Sequence, residues 1–483
     1  MSIRDARSLE EGTALSADVC IVGAGAAGIT IALELLGRGR SVLLLESGAM
    51  DLEPSIQALY DGTMSGIRTF RLDDHRWRHF GGSTNRWAGW CMPLLAEDFT
   101  PRDHVPLSGW PIALEDLAPY YERAQELAQI GDRWDAERLA GAAGRALLPA
   151  PGGHLATRVF RYSPPTRFGR TYRPLLEDSA QTDVLMHANL VGIEVDGARV
   201  SRLACAALGG PRFSVEAGAY VLAMGGLENA RMLLASDVAN GSDWVGRCFM
   251  EHPHLYDSAA WLELGHADVG FYADTHGTEA GDEVRGALAL SREVREAEGL
   301  LDFTITLREQ DVGAETGEVI APDVARLWRG SGDARLFRMT LRAEQSPYEE
   351  SRVTLRDDVD ALGVPRLDLR WQVRDDDLRA YRRAMEVLGR ELGAAGLGRV
   401  WTPRDAEGRF ADEIAPGGHH MGTTRMSADS AKGVVDADCR CHEVEDLYVA
   451  GSSVFTTGGS ANPTLTIVAL AARLADHLAG GAS

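Results

Sequence analysis

Residues 18–46 read DVCIVGAGAAGITIALELLGRGRSVLLLE, and this stretch decides the fold of the chain. An apolar run with β-branched residues breaks on three glycines at G-x-G-x-x-G spacing. Helical periodicity follows over residues 29–36, and a second short apolar run over 41–45 ends in Glu46. This order predicts a strand, a tight turn, a helix and a second strand that ends in an acid.

Each glycine of the motif has a separate task in a dinucleotide-binding unit. Gly23 permits the turn, Gly25 lets the backbone approach a pyrophosphate, and Gly28 lets the helix lie close to the strand. The N-terminus of the helix offers free N–H groups to the phosphates, and the Glu46 carboxylate can accept bonds from both ribose hydroxyls. These features predict a dinucleotide ligand, and at this point either FAD or NAD fits.

Composition bounds the class of protein. A chain of 483 residues exceeds the size at which one core stops growing, so two domains are expected. The formal net charge of −22 argues against nucleic acid and anionic membranes as partners. That charge serves solubility, or it attracts a cationic substrate such as an amino sugar. The charged start, the lack of a bilayer-length apolar run and six scattered cysteines predict a cytoplasmic protein without disulfides.

Further elements extend the dinucleotide-binding unit along the chain. A buried strand over 219–224 runs into Gly225 and a helix, and residues 447–455 form another strand that ends in Gly-Ser-Ser. Residues 184–195 and 199–205 are predicted to form a hairpin that turns on Asp196-Gly197. The fold class is therefore α/β, with a discontinuous Rossmann-type domain and a β-rich α+β substrate-binding domain. The predicted division is 1–60, 155–255 and 411–483 for the cofactor domain, 61–154 for a covering loop and connector, and 256–410 for the substrate domain.

An ordered set of motifs resembles the glucose–methanol–choline (GMC) oxidoreductases, which bind FAD. The set comprises the 18–46 unit, the GGST loop at 81–84, VGR at 245–247 with EHP at 251–253, HHMGTTRM at 419–426 and NPTLT at 462–466. The motifs are most similar to the pyranose oxidase and fructose dehydrogenase side of the family. The resemblance implies FAD, and the expected cofactor-binding residues are Gly23, Gly25, Gly28, Glu46, Gly82, Ser83, Asn85, Arg86, Trp87, Gly225, Gly451, Ser452 and Thr464.

The same resemblance implies two catalytic residues. His419 lies six positions before Arg425, where the family carries its base, and Asn462 opens the partner motif. Removal of a hydride from an alcohol carbon needs a base for the hydroxyl proton, and imidazole serves that role near neutral pH. An amide can donate and accept, so it can hold the alcohol oxygen. Trp90, Glu344 and Gln345 are expected in the substrate wall.

Two further histidines and one departure from the family pattern lead to additional predictions. His252 and His254 are interpreted as holding a domain junction, and no metal site is predicted. Arg86 stands where pyranose oxidase carries a flavin-linked histidine, so FAD is expected to bind non-covalently.

The predicted function is oxidation of an alcohol group of a sugar-like substrate (a pyranose, glycoside or amino sugar) to a carbonyl. The hydride passes to flavin N5, and O2 or another oxidant reoxidises the cofactor. The alternatives are a lyase on the same fold with structural FAD, and an NAD-dependent reductase. A homo-oligomer is compatible with the sequence.

Overall fold

The computed structural model describes residues 3–67, 71–310, 334–402 and 414–480, and the strands of these residues form three sheets. The first sheet has eight strands in the order β1-β7-β3-β2-β10-β9-β8, with β20 also paired to β10. Its strands are β1 (Ile3–Asp5), β2 (Thr13–Val22), β3 (Val42–Leu45), β7 (Thr182–Met186), β8 (Asn189–Asp196), β9 (Arg199–Ala206), β10 (Arg212–Leu222) and β20 (Leu447–Val449).

Parallel pairing in this sheet creates the edge at which the site forms. β3 pairs with β2, β2 with β10, and β10 with β20, all in parallel. The carboxyl ends of parallel strands meet at one edge, so the segments after Val22, Leu45, Leu222 and Val449 converge there. β3, β20 and the last residues of β2 (19–22) and β10 (220–222) are buried and mostly apolar, as expected where a sheet is covered on both faces.

The second sheet has nine strands and follows the order β18-β11-β15-β14-β13-β6-β5, with β12 on β13 and β19 on β11. They are β5 (Trp90–Cys91), β6 (Leu155–Tyr162), β11 (Pro253–Glu263), β12 (His276–Gly277), β13 (Glu283–Leu290), β14 (Phe303–Glu309), β15 (Arg335–Ala343), β18 (Gly398–Trp401) and β19 (Ala415–Pro416). The third sheet comprises β4 (Gly62–Gly66), β16 (Arg352–Val359) and β17 (Pro365–Trp371).

Helices cover the sheets. They are α1 (Ala26–Glu34), α2 (Pro54–Gln57), α3 (Ala96–Phe99), α4 (Leu114–Ala128), α5 (Ala136–Ala142), α6 (Phe168–Glu177), α7 (Gly225–Ser236), α8 (Gly270–Ala273), α9 (Arg292–Glu298), α10 (Asp375–Ala394) and α11 (Thr464–Gly480). α11 packs against both α1 and α4, while the apolar face of α10 packs in the core of the second sheet. Within the described ranges, no helix is long and apolar enough to cross a membrane.

The predicted hairpin and the predicted placement of β6 each differ in part from the observed strands. β8 and β9 form the predicted hairpin, but the expected strand over 184–195 is broken at His187, whose φ of 55° separates β7 from β8. β6 falls within the predicted cofactor domain, yet it pairs with β13 in the second sheet. The division into domains stays a prediction, and its boundary between residues 410 and 411 lies outside the described residues.

Candidate active site

A cavity of about 550 Å³ opens at the carboxyl edge of the parallel strands. The segments that follow β2, β3, β10 and β20 line it, as do the 75–90 loop, the 417–420 segment and the start of α11. The cavity thus lies where the strand topology directs a ligand. The predicted residues that line it are Gly23, Gly25, Glu46, Gly82, Ser83, Arg86, Trp87, Trp90, Gly225, His419, Gly451, Ser452, Asn462 and Thr464.

The glycine motif has no room for side chains at two of its positions. Gly23 has a φ of 106°, and a Cβ there would lie 2.6 Å from the carbonyl oxygen of Ala223. Gly28 does not line the cavity, and a Cβ on it would overlap the carbonyl oxygen of Gly23. Nothing lies within 4 Å of a Cβ built on Gly25, so this glycine leaves open space on the cavity side. Gly28 brings the helix close to the strand, as predicted.

Glu46 is buried at the end of β3 and already accepts two hydrogen bonds. Its Oε2 accepts from the N–H of Ala24, and its Oε1 accepts from the N–H of Gly48, both at 2.9 Å. These bonds hold the carboxylate against the turn. Each oxygen keeps a further lone pair for a ligand.

Asn85 is the other predicted cofactor residue that lies outside the cavity lining. Its Nδ2 donates to the carbonyl oxygen of Phe80 at 2.8 Å, so the side chain closes its own loop. The neighbouring Arg86 does line the cavity, with its guanidinium 4.2 Å from the centre of the Trp77 ring. Asn85 does not line the cavity, and its contact with the cofactor stays a prediction.

His419 and Asn462 lie next to each other in the wall of the cavity. The Nδ2 of Asn462 lies 3.1 Å from the Nε2 of His419, although the two residues come from different segments of the chain. Burial and nearby basic groups hold the pKa of His419 well below 6.5, so its ring is neutral at pH 7. The ring of His420 lies against Phe249, with ring centres 5.7 Å apart.

The neighbouring His252 settles which nitrogen of His419 carries the proton. The Nε2 of His252 lies 2.9 Å from the carbonyl oxygen of Gly459, which only accepts, so this nitrogen carries hydrogen. Burial lowers the pKa of His252, and its neutral ring therefore has a bare Nδ1. That atom lies 2.8 Å from the Nδ1 of His419, which must donate to it. The Nε2 of His419 is left as a lone pair that accepts from Asn462.

Glu251 fixes the backbone that carries His419. Its Oε2 accepts from the N–H of His419 at 2.8 Å and from the N–H of His252 at 3.2 Å. Burial raises the pKa of Glu251 to about 8, so the side chain is largely neutral at pH 7. Its Oε1 lies 3.4 Å from the Nε2 of His420, whose pKa burial lowers to about 3. A neutral acid can donate a proton in that contact.

Sequence reasoning missed this group of residues. His252 and His254, interpreted as junction residues, instead lie beside His419, with ring centres 5.0 and 6.0 Å from its own. His254 also lines the cavity. The available signal was the three polar residues Glu251, His252 and His254 around the start of β11, since residues at the end of a rigid element are well oriented.

Two of the three expected substrate-wall residues do not line the cavity. Glu344 is fully buried, where it forms a bidentate ion pair with Arg102. Gln345 is likewise buried and accepts from the Nε1 of Trp371 at 2.9 Å. Both side chains satisfy their polar groups inside the protein, so this expectation is corrected. Trp90 does line the cavity.

Across the described ranges, no group of three or more His, Cys, Asp or Glu side chains is arranged to hold a metal ion. All six cysteines are free and buried.

Comparison with known proteins places the chain among oxidoreductases. The 6'''-hydroxyparomomycin C oxidase of Streptomyces lividus is 27% identical over 98% of this chain and 94% of its own length. The large subunit of fructose dehydrogenase from Gluconobacter japonicus is 22% identical over 96% of this chain and 98% of its own. The crystal structure of pyridoxine 4-oxidase from Mesorbium loti shares the fold, with a TM-score of 0.57 and 18% identity over 95% and 98% of the two chains.

Fold, site and relatives together define an alcohol oxidoreductase. Residues 347–471 match the sequence profile of the GMC oxidoreductase family. The family is one of flavoproteins, which implies FAD as the cofactor. The cavity residues fit that group: α1 begins without a side-chain cap, so its N–H groups are open to phosphate, and the Glu46 carboxylate lines the cavity at the end of β3.

Proposed function

We propose that this enzyme oxidises a hydroxyl group of a sugar-like substrate, a pyranose, glycoside or amino sugar, to a carbonyl. The observation that carries the proposal is the bare Nε2 of His419 beside the amide of Asn462 in the cavity wall. Two relatives named for sugar-like compounds, the paromomycin-type oxidase and fructose dehydrogenase, support this substrate class.

The proposed chemistry divides the work between the two side chains. The substrate hydroxyl replaces the Asn462 amide as the donor to the Nε2 of His419, and its oxygen accepts the N–H that Asn462 thereby frees. As the proton moves to Nε2, the ring becomes an imidazolium whose Nδ1–H still donates to the Nδ1 of His252. When bound, FAD supplies the acceptor for the hydride at flavin N5. The alcohol thus loses a proton and a hydride and becomes a carbonyl.

Non-covalent binding of FAD is part of the proposal. Arg86 lies at the sequence position of the flavin-linked histidine of pyranose oxidase, and a guanidinium forms no such link. Acid precipitation should therefore leave a colourless pellet and a yellow supernatant. A yellow pellet would show a covalent bond and contradict this part of the proposal.

The test of function is anaerobic mixing of the purified holoenzyme with sugars, glycosides and amino sugars, followed by the loss of flavin absorbance. At least one sugar-like alcohol should bleach the flavin, and O2 or another oxidant should restore the colour. A flavin that no candidate bleaches would favour the lyase alternative. A purified protein without flavin absorbance would favour the NAD-dependent reductase.

A further inference from the structure

Arg342 lies in the cavity wall beside the proposed base and has no acidic partner among the described residues. It stands near the end of β15 and lines the cavity together with His254, Tyr256 and His419. Its guanidinium is 4.4 Å from the centre of the Trp90 ring, and its charge is close enough to lower the pKa of His419. The arginine is therefore at the substrate end of the cavity.

The hydrogen bonds of Arg342 leave one edge of its guanidinium unused. Nη1 donates to the Oγ1 of Thr306 at 2.8 Å, and within the described residues Nε and Nη2 make no hydrogen bond. The Nε–H and Nη2–H groups point side by side in one plane, which matches the two oxygens of a carboxylate. Burial lowers the pKa of Arg342 to about 10, so the side chain stays charged at neutral pH.

The carboxylates of the cavity are already engaged elsewhere. Among the described lining residues they are Glu46, which accepts from two backbone N–H groups, and Glu228, which pairs with Arg76, Arg78 and Arg231. Neither forms an ion pair with Arg342. A partly buried cation without a counter-charge is costly, so a ligand that brings one negative charge gains from neutralising it.

We propose that the substrate is an acidic sugar or glycoside whose carboxylate binds the Nε/Nη2 edge of Arg342 while a hydroxyl is presented to His419. This inference rests on the proposed function and names its substrate class. A carboxylate is favoured over a phosphate monoester, because one guanidinium balances one charge and a phosphate dianion would leave a second. It excludes the cationic substrate predicted from net charge alone, since an ammonium group would be repelled here.

The test compares a matched pair of ligands, methyl β-D-glucopyranoside and its 6-carboxylate, the methyl glucuronide. For binding, wild type and each Arg342 variant are titrated by anaerobic calorimetry in a His419→Ala background, which keeps the flavin but slows its reduction, and turnover is measured separately in enzymes that retain His419. Wild type should bind the glucuronide about tenfold or more tighter than the glucoside, and added salt should weaken only the glucuronide. Arg342→Gln should abolish the preference without weakening the glucoside.

Two further variants keep the result interpretable. Arg342→Lys keeps the charge without the planar fork and should retain part of the preference. Arg308→Gln removes an exposed arginine from the adjacent strand β14 and should behave as wild type. Equal affinity of wild type for both ligands, no binding of the glucuronide, or equal loss of both ligands in Arg342→Gln would overturn the inference.

The outcomes also separate this inference from the proposed function. If glycosides are oxidised without preference for the acid, the function stands and the carboxylate site is wrong. If the glucuronide binds in an Arg342-dependent way but no sugar-like alcohol bleaches the flavin, the carboxylate site stands and the proposed oxidation fails.

Discussion

The Nδ1 atoms of His252 and His419 lie 2.8 Å apart, and only one proton can occupy the line between them. The carbonyl oxygen of Gly459 on the far side of His252 assigns that proton to His419. The lone pair of His419 is thereby directed at the cavity, where Asn462 meets it. His252 is a positioning residue, since it acts through the tautomer of His419.

Replacement of His252 should lower kcat with little change in KM. His252→Leu removes the acceptor for the Nδ1–H of His419, so both tautomers become populated, and kcat should fall about 10-fold to 100-fold. His252→Gln offers a carbonyl oxygen and should restore part of the rate. Steady-state kinetics with the best substrate measures both. Loss of kcat to the same extent in both variants would contradict the tautomer role.

His419→Ala should abolish rapid flavin reduction while the protein keeps its cofactor. Loss of the base is expected to slow the anaerobic reduction by roughly 10²-fold to 10⁴-fold. Stopped-flow absorbance measures the rate, and the flavin-to-protein ratio controls for folding. A rate near that of wild type would remove His419 from the mechanism.

Substitutions of Glu251 test whether its buried side chain works in the protonated, uncharged form. Glu251→Gln keeps an oxygen for the N–H of His419 and an N–H for His420, so activity should stay within about threefold of wild type. Glu251→Ala leaves buried polar groups without partners, which should cost about 1–3 kcal/mol in the free energy of unfolding and lower kcat. Equal damage in both variants would indicate that the ionised carboxylate is required. Chemical denaturation and kinetics distinguish the cases.

His254 should make stability depend on pH. Burial lowers its pKa to about 3 in the folded protein, against about 6.5 when unfolded. The unfolded chain binds the extra proton below pH 6.5, so this residue destabilises the fold as the pH falls from 6.5 toward 3. Relative to His254→Gln, wild type should lose about 2 kcal/mol between pH 7 and pH 5. Urea unfolding measures this, and parallel pH curves for the two proteins would refute it.

Two helical glycines provide a matched pair for the dinucleotide motif. Gly28→Ala places a methyl group against the Gly23 carbonyl and should cost about 1–3 kcal/mol or more and reduce the flavin content. Gly141 in α5 is exposed with nothing near its Cβ position, so Gly141→Ala should be neutral or stabilise by up to about 1 kcal/mol. Thermal unfolding and flavin absorbance provide the comparison. An unchanged Gly28→Ala would contradict the close helix–strand packing.

The parts of the fold and site that could be predicted from the sequence are those whose residues lie close together along the chain. The strand–turn–helix motif and the 419 and 462 motifs each depend on residues a few positions apart, so their elements and cavity positions could be read from the chain. The contact between His252 and His419 joins residues 167 positions apart, and nothing local specifies it. The sequence predicts Glu344 in the substrate wall, but the residue that lines the cavity is Arg342, two positions earlier on β15. Glu344 lies past the end of the strand and pairs with Arg102.

β20 completes the parallel edge only after most of the polypeptide has been made, because its partner β10 lies in the first half of the chain. During synthesis on the ribosome, the segments after β2, β3 and β10 emerge early, but the walls from Gly451 to Thr464 are still missing. Such long-range pairing also slows folding. A flavin that binds during synthesis would therefore meet a pocket without its 451–464 wall, and the complete binding site forms only near the end of translation.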